Sequence, residues 1–87
     1  MKHSYHDIIK PFLREKILRE VIDQKLTEER ASEILKIATR SFTNMKSGKH
    51  MVCAESLLIF MTDMCSNTEA FIQEARELIA NSEPKQD

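Results

Sequence analysis

Between Ile34 and Ala54 the chain has no acidic residue, although acidic side chains occur on both sides of this window. Basic side chains and short polar donors are gathered there instead. Such side chains bind phosphate oxygens and the edges of bases, so the window has the composition of a nucleic-acid surface. The alternative is a solvated helix face with a chance excess of basic charge. The residues concerned are Lys36, Thr39, Arg40, Ser41, Thr43, Asn44, Lys46, Ser47, Lys49 and His50.

Groups suited to catalysis or metal binding are few. His3 and His6 have a spacing that places both imidazoles on one helical face, but no cysteine is near, which favours a pair of surface histidines over a zinc site. His50 and Cys53 have no third group to orient them as base and nucleophile. A phosphate-binding loop needs several glycines, and Gly48 is the only one. We therefore expect no enzyme activity, no metal and no cofactor.

Length and composition favour one small cytoplasmic domain. The 87 residues include 13 basic and 14 acidic ones, and no apolar run approaches the roughly 20 residues of a membrane helix. The N-terminus lacks the apolar stretch of a secretory signal. Cys53 and Cys65 would lie roughly 18 Å apart along one helix, which is too far for a disulfide. We expect both cysteines to be reduced and mostly buried.

The scarcity of glycine and proline, together with the periodic apolar positions, predicts an all-α domain of five helices. Leu13, Ile17 and Val21 define the apolar face of the first helix. Pro11 suits the first turn of that helix, where its missing N–H costs nothing. The first helix is expected to end near residues 24–25.

Two short helices follow. Thr27 is a suitable N-cap for the second helix, which is expected to stop at Lys36. The third helix is predicted over residues 39–47. Its inward residues are Phe42 and Met45, and Gly48 suits the left-handed backbone that follows a helix end.

The last two helices complete the predicted domain. The fourth is expected over residues 54–64, and a capping-box pattern of Ser66 and Glu69 indicates the start of the fifth. Residues 1–80 are expected to form one compact domain, followed by a disordered tail over residues 81–87. The apolar stripe of the fifth helix consists of Phe71, Ala75, Leu78 and Ile79.

The stretch LTEERASEILKIATRSFTNMKSGK, residues 26–49, resembles without a gap the helix-turn-helix of lambda-repressor-like, Cro-type regulators, the xenobiotic-response-element family. The resemblance covers about residues 13–64 and implies a lambda-repressor-like fold with its helix-turn-helix at residues 27–48. The matching positions are Thr27 as the helix cap, Ala31 as the small residue between the helices, Ile37 after the turn, Phe42 and Met45 as inward residues, Gly48-Lys49 as the closing pair and residues 53–57 at the start of the fourth helix.

This resemblance implies a sequence-specific regulator of transcription, a repressor that occupies duplex DNA as a homodimer by placing its third helix in the major groove. By position, it implies base contacts from Thr39, Arg40, Thr43 and Asn44. Arg40 has the geometry to read guanine and Asn44 to read adenine. Phosphate contacts are implied for Ser41, Lys46, Ser47, Lys49 and His50.

The C-terminal third of the chain is the expected dimer surface. Residues 55–87 carry seven acidic and two basic side chains, which are unsuited to contact with DNA. The apolar candidates for the dimer surface are Phe60, Phe71, Ile72 and Ile79. A second interpretation keeps the same fold but makes another protein the main partner, as for an antitoxin bound to its toxin or for an adaptor.

Three positions depart from the family pattern. Glu28 stands where most relatives carry Gln, and its charge would repel a phosphate. Lys36 replaces the Gly of the turn, so it must adopt a left-handed backbone or reshape the turn. Ala38 replaces the usual Ser or Thr cap, so we expect Thr39 to cap the third helix one residue late.

Overall fold

The computed structural model describes residues 5–82, and all regular secondary structure in this range is helical. The prediction of an all-α architecture with five helices is confirmed for these residues. None of the described helices has the length and apolar character needed to cross a membrane. The helices are α1 (Tyr5–Asp23), α2 (Glu28–Leu35), α3 (Thr39–Lys46), α4 (Ala54–Ile59), which continues as a π-helical segment (Phe60–Met64), and α5 (Thr68–Ser82).

One apolar core joins α1, α2, α3, the π-helical segment and α5. Ile17 and Val21 project into it from α1, one helical turn apart as the periodicity predicts, and Ala31 allows α2 to approach closely. Each of these helices contributes apolar side chains to this core, so the short helices bury one continuous cluster. The core residues are Ile17, Val21, Ala31, Leu35, Phe42, Met45, Phe60, Met64 and Phe71.

Phe60 and Phe71 belong to this core and not to a dimer surface. Phe60 is 0% exposed and Phe71 is 6% exposed. The ring of Phe71 stacks on Phe12 of α1 at 5.7 Å and meets the edge of Phe60 at 5.6 Å. These contacts attach α5 and the π-helical segment to α1. The prediction that the two aromatic residues face a partner is therefore wrong, because their own fold already covers them.

The first helix begins earlier than expected. Pro11 lies inside α1 and not in its first turn, because α1 already starts at Tyr5. Pro11 has no N–H to donate to the carbonyl of Asp7, one turn earlier. The end of α1 agrees with the prediction. Lys25 adopts a left-handed φ of 56°, and the Leu26 N–H donates to the Val21 carbonyl at 2.9 Å.

The end of α4 departs from α-helical geometry. The span from α4 through the π-helical segment matches the predicted helix over residues 54–64, but the Cys65 N–H donates to the Phe60 carbonyl, five residues earlier, at 2.7 Å. Side chains from other parts of the chain bond the neighbouring carbonyls. The Thr68 hydroxyl donates to the Met61 carbonyl at 2.6 Å, and the Gln24 amide donates to the Met64 carbonyl at 2.7 Å.

The start of α5 also differs from the prediction. Ser66 does not cap this helix, because its N–H and its hydroxyl both donate to the Glu20 carboxylate of α1, at 3.1 and 2.9 Å. Asn67 provides the cap, since its side-chain oxygen accepts from the Ala70 N–H at 3.0 Å. The helix then extends through Ser82, so the first two residues of the expected tail are helical, and residues 83–87 lie outside the described range.

Candidate nucleic-acid interface

Three residues connect α2 to α3. Lys36 has a left-handed φ of 60°. Of the two expected alternatives, a left-handed backbone and a reshaped turn, the first is confirmed. Its N–H donates to the Glu33 carbonyl at 3.2 Å, and the Ile37 N–H donates to the Ser32 carbonyl at 3.0 Å. This pair of hydrogen bonds closes the end of α2 and turns the chain sharply. The confirmed cap at Thr27, which accepts from the Arg30 N–H at 3.0 Å, fixes the other end of α2.

Within residues 5–82, no side chain caps the start of α3. Ala38 occupies the N-cap position with an extended backbone, and Thr39 is already the first helical residue. The prediction that Thr39 caps the helix one residue late is therefore wrong. The Phe42 N–H still donates to the Ala38 carbonyl at 3.1 Å, so α3 begins regularly. Packing of its apolar face against the core compensates for the missing cap.

The two faces of α3 differ as predicted. Phe42 and Met45 are buried, at 0% and 1% exposure, and attach the helix to the core. Arg40, Thr43 and Asn44 recur at spacings of three and four, so they lie along one face. The predicted base-contacting residues Thr39, Arg40 and Thr43 are exposed, and Asn44 is half-buried.

The end of α3 is built around the Asn44 carbonyl. This oxygen accepts from the N–H groups of Lys49 and His50, at 2.9 and 3.3 Å, and from the Ser47 hydroxyl at 3.0 Å. Gly48 has a φ of 87°, which confirms the left-handed position expected there. The resulting loop holds two predicted phosphate-contacting residues, Lys49 and His50, at an exposed position next to α3. The predicted phosphate-contacting residues Ser41, Lys46 and Ser47 are also exposed.

Glu28 occupies part of this polar face. Its carboxylate lies 2.8 Å from the Lys46 ammonium and accepts from the Thr43 hydroxyl at 3.3 Å. The hydrogen bond and positive charge of Lys46 hold the pKa of Glu28 below its ordinary value of 4.5. Lys46 and Thr43, two predicted DNA contacts, are thus bound to an acidic side chain from α2. The sequence pattern marked Glu28 as an unfavourable charge but did not reveal these partners.

Two basic residues of α1 adjoin the loop after α3, although the sequence pattern did not indicate that they lie there. Lys10 and Arg14 line the same cleft as Lys49 and His50. They lie on one face of α1, one turn apart. Their spacing in the sequence indicates that shared face, but the proximity of that face to Lys49 and His50 depends on how α1 packs against α3.

A second cleft brings His50 and Cys53 together. Its volume is about 260 Å³, its lining includes Ile37, Ser41 and Asn44, and none of the described residues that border it is acidic. Cys53 is exposed and Cys65 is half-buried, so the expectation that both thiols are mostly buried is wrong for Cys53. The Cys53 thiol lies 3.3 Å from the Ser56 hydroxyl. His3 and the side chain of His6 lie outside the described part of the structure.

Two residues remain from the predicted dimer surface. Ile72 is half-buried against the core, and Ile79 is 37% exposed on α5. Two further large apolar residues are exposed elsewhere, Ile22 at 72% and Leu58 at 62%. Comparisons of the chain with protein families, with curated proteins and with solved structures gave no match. The assignment of a function therefore depends on the residues and their geometry.

Proposed function

We propose that the chain is a sequence-specific regulator of transcription that binds duplex DNA by placing α3 in the major groove. One observation carries this proposal. Phe42 and Met45 attach α3 to the core, while Arg40 and Thr43 remain exposed and Asn44 is half-buried. An eight-residue helix such as α3 is about 12 Å long, comparable to the width of the groove.

The connection between α2 and α3 supports the same interpretation. A helix-turn-helix uses a turn of three to four residues to place its second helix against DNA. Here the turn consists of three residues, Lys36, Ile37 and Ala38. The N–H groups of Lys36 and Ile37 close the end of α2 by hydrogen bonds. The unit that resembles Cro-type regulators in sequence thus has a compatible local geometry.

A homodimer is part of the proposal. Two copies of α3, separated by about 34 Å across a two-fold axis, would enter successive major grooves on one side of a palindromic site. Occupancy of that site would exclude other proteins from it, which is the mechanism of a steric repressor. Ile72 and Ile79 on α5 are the members of the predicted dimer surface that are not fully buried in the core.

Arg40→Ala tests the proposal. Sites selected from random duplexes should give a palindrome for the wild type, and Arg40→Ala should lose discrimination at one base pair per half-site. A bidentate arginine contact with guanine supplies about 1–3 kcal/mol of discrimination, or roughly five- to 150-fold in affinity. Arg76→Ala is the control, because Arg76 is an exposed arginine on α5. A variant at Arg40 that selects the wild-type site with full discrimination would contradict the role assigned to this side chain.

A protein-binding module is the second candidate function. Ile22 and Leu58 are large, exposed apolar residues, and such residues are frequent in protein interfaces. Glu28 also neutralises Lys46, which weakens the positive charge of the α3 face. If the chain fails to bind any duplex at low salt, the DNA proposal fails, and an antitoxin or adaptor role becomes the better account of the exposed apolar residues.

A further inference from the structure

A cleft between α1 and the end of α3 gathers positive charge without a counter-charge. Its volume is about 110 Å³. Lys10 and Arg14 line it from α1, and Lys49 and His50 line it from the loop after α3. No carboxylate is among the described residues that border this cleft. Like charges gathered in this way repel one another unless an anion lies between them.

Arg14 is the central group of the cleft. Its side chain is half-buried, yet within residues 5–82 it forms no ion pair and no hydrogen bond. In the same range, four other basic side chains lie within 4 Å of a carboxylate, whereas Lys25, Lys36, Arg40 and Arg76, which lie outside the cleft, do not. Those paired residues are Lys16, Arg19, Arg30 and Lys46. The donors of the Arg14 guanidinium are therefore available to a ligand.

Gly48 makes room for this guanidinium. A Cβ atom added to Gly48 would clash with the Nη1 atom of Arg14. Because Gly48 also has a φ of 87°, any other residue at this position would be strained. The single glycine of the chain thus ends α3 through its left-handed backbone, and the Arg14 guanidinium lies against that backbone beside Lys49.

Backbone hydrogen bonds satisfy most of the carbonyl groups at the end of α3. Helix carbonyls attract positive side chains when they lack partners. Here backbone N–H groups already bond three of the last four carbonyls of α3, and the Lys46 carbonyl has no such partner among the described residues. The Asn44 carbonyl accepts from Lys49 and His50, the Met45 carbonyl accepts from Gly48, and the Thr43 carbonyl accepts from Ser47.

We infer that Lys10, Arg14, Lys49 and His50 form a binding site for a phosphate group. A guanidinium provides a planar pair of donors for two phosphate oxygens, and lysines add charge around the remaining ones. If the proposed function holds, the phosphate belongs to the DNA backbone, and the site extends the interface from α3 onto α1. The same chemistry also fits a free phosphate, so the two sources need separate tests.

The first arm of the test uses inorganic phosphate. Titration of the ¹⁵N-labelled full chain at constant ionic strength should shift the amide signals of Gly48 and Lys49 to saturation. The double variant Lys10→Gln with Arg14→Gln should lose this shift. A control that carries the same change in charge, Lys25→Gln with Arg76→Gln, should keep it, because neither residue lines the cleft.

The second arm measures duplex binding against salt. One phosphate contact contributes about 0.9 to the slope of log affinity against log salt. The double variant at Lys10 and Arg14 should therefore lower the slope by about one, and the control pair should not. If the double variant lowers the salt slope but inorganic phosphate gives no response, the cleft binds phosphate groups of the DNA backbone and not free phosphate.

The outcomes separate this inference from the proposed function. In one outcome, the wild type responds to inorganic phosphate, the cleft variant does not, and neither binds duplex DNA. This result supports the phosphate site and refutes the DNA proposal. In another outcome, the cleft variant binds duplex DNA with the wild-type salt slope, and inorganic phosphate gives no specific response. This result refutes the phosphate site and remains consistent with the DNA proposal. The phosphate site is also refuted if the cleft variant and its control variant respond equally to inorganic phosphate and to salt.

Discussion

Replacing Glu28 with Gln is expected to strengthen duplex binding and to steepen its dependence on salt. In the wild type the Glu28 carboxylate neutralises Lys46 at 2.8 Å, so Lys46 adds little net charge to the α3 face. Gln is nearly the same size and can still accept a hydrogen bond, but it carries no charge. Lys46 then becomes available to a phosphate, and the carboxylate that would repel that phosphate is removed.

The salt dependence gives the magnitude. One additional phosphate contact raises the slope of log affinity against log salt by about 0.9. Between 50 and 200 mM salt, the affinity of the Glu28→Gln variant should therefore fall about three- to fourfold more than that of the wild type. The advantage of the variant is largest at low salt. Fluorescence anisotropy with a labelled duplex at several salt concentrations measures both quantities.

Glu29→Gln is the matched control for this experiment. Glu29 is the next residue in the first turn of α2, is exposed, and has no ion pair or side-chain hydrogen bond within residues 5–82. The substitution changes the net charge by the same amount. Equal slopes for the two variants would show that only overall charge matters, and a wild-type slope for Glu28→Gln would refute the competition between Glu28 and phosphate for Lys46.

Three further predictions concern the fold. Lys36→Gly should raise the free energy of unfolding by about 0.5–1 kcal/mol in urea titrations, because the relief of left-handed backbone strain exceeds the extra entropy that glycine loses on folding. Lys25→Gly should act in the same direction. A lower free energy of unfolding for both variants would contradict this reasoning. Phe60→Ala should lower the free energy of unfolding by about 3–5 kcal/mol. A Phe60→Ala variant that dimerises poorly yet unfolds like the wild type would contradict the position of Phe60 in the core. Burial raises the pKa of Glu20, but hydrogen bonds from Gln24 and Ser66 outweigh it and lower the pKa below 4.5. Glu20 thus stabilises the fold above about pH 4.5 and loses this effect as the pH falls through its folded pKa. In acid titrations, Glu20→Gln should therefore weaken the dependence of the free energy of unfolding on pH.

The helix ends that were predicted correctly depend on residues close in sequence. Thr27 accepts a hydrogen bond from a residue three positions later, and Gly48 ends α3 through its own backbone conformation. Phe42 and Met45 share a face because a helix returns to the same side every three to four residues. Such short-range relations are written in the sequence, which is why the positions of α2 and α3 could be predicted closely.

The incorrect predictions involve competition from distant residues. Ser66 has the right type and spacing for a capping box, but Glu20, 46 residues away, binds both its N–H and its hydroxyl. The apolar character of Phe60 and Phe71 was evident, but periodicity does not tell whether an apolar side chain packs in its own core or against a partner. Their mutual edge contact and the stacking of Phe71 on Phe12 decide the question.

The candidate interface shows the same limit for charge. The window between Ile34 and Ala54 is free of acidic residues in sequence, but Glu28 reaches its surface in space and binds Lys46. Lys10 and Arg14 likewise add positive charge from outside the window. Because α3 packs against both α1 and α2, its electrostatic surface is shared among three helices. Glu28 decreases the positive charge on the side of α2, and Lys10 and Arg14 increase it on the side of α1. Substitutions at Glu28 and at Arg14 should therefore change the salt slope in opposite directions, although neither residue belongs to α3.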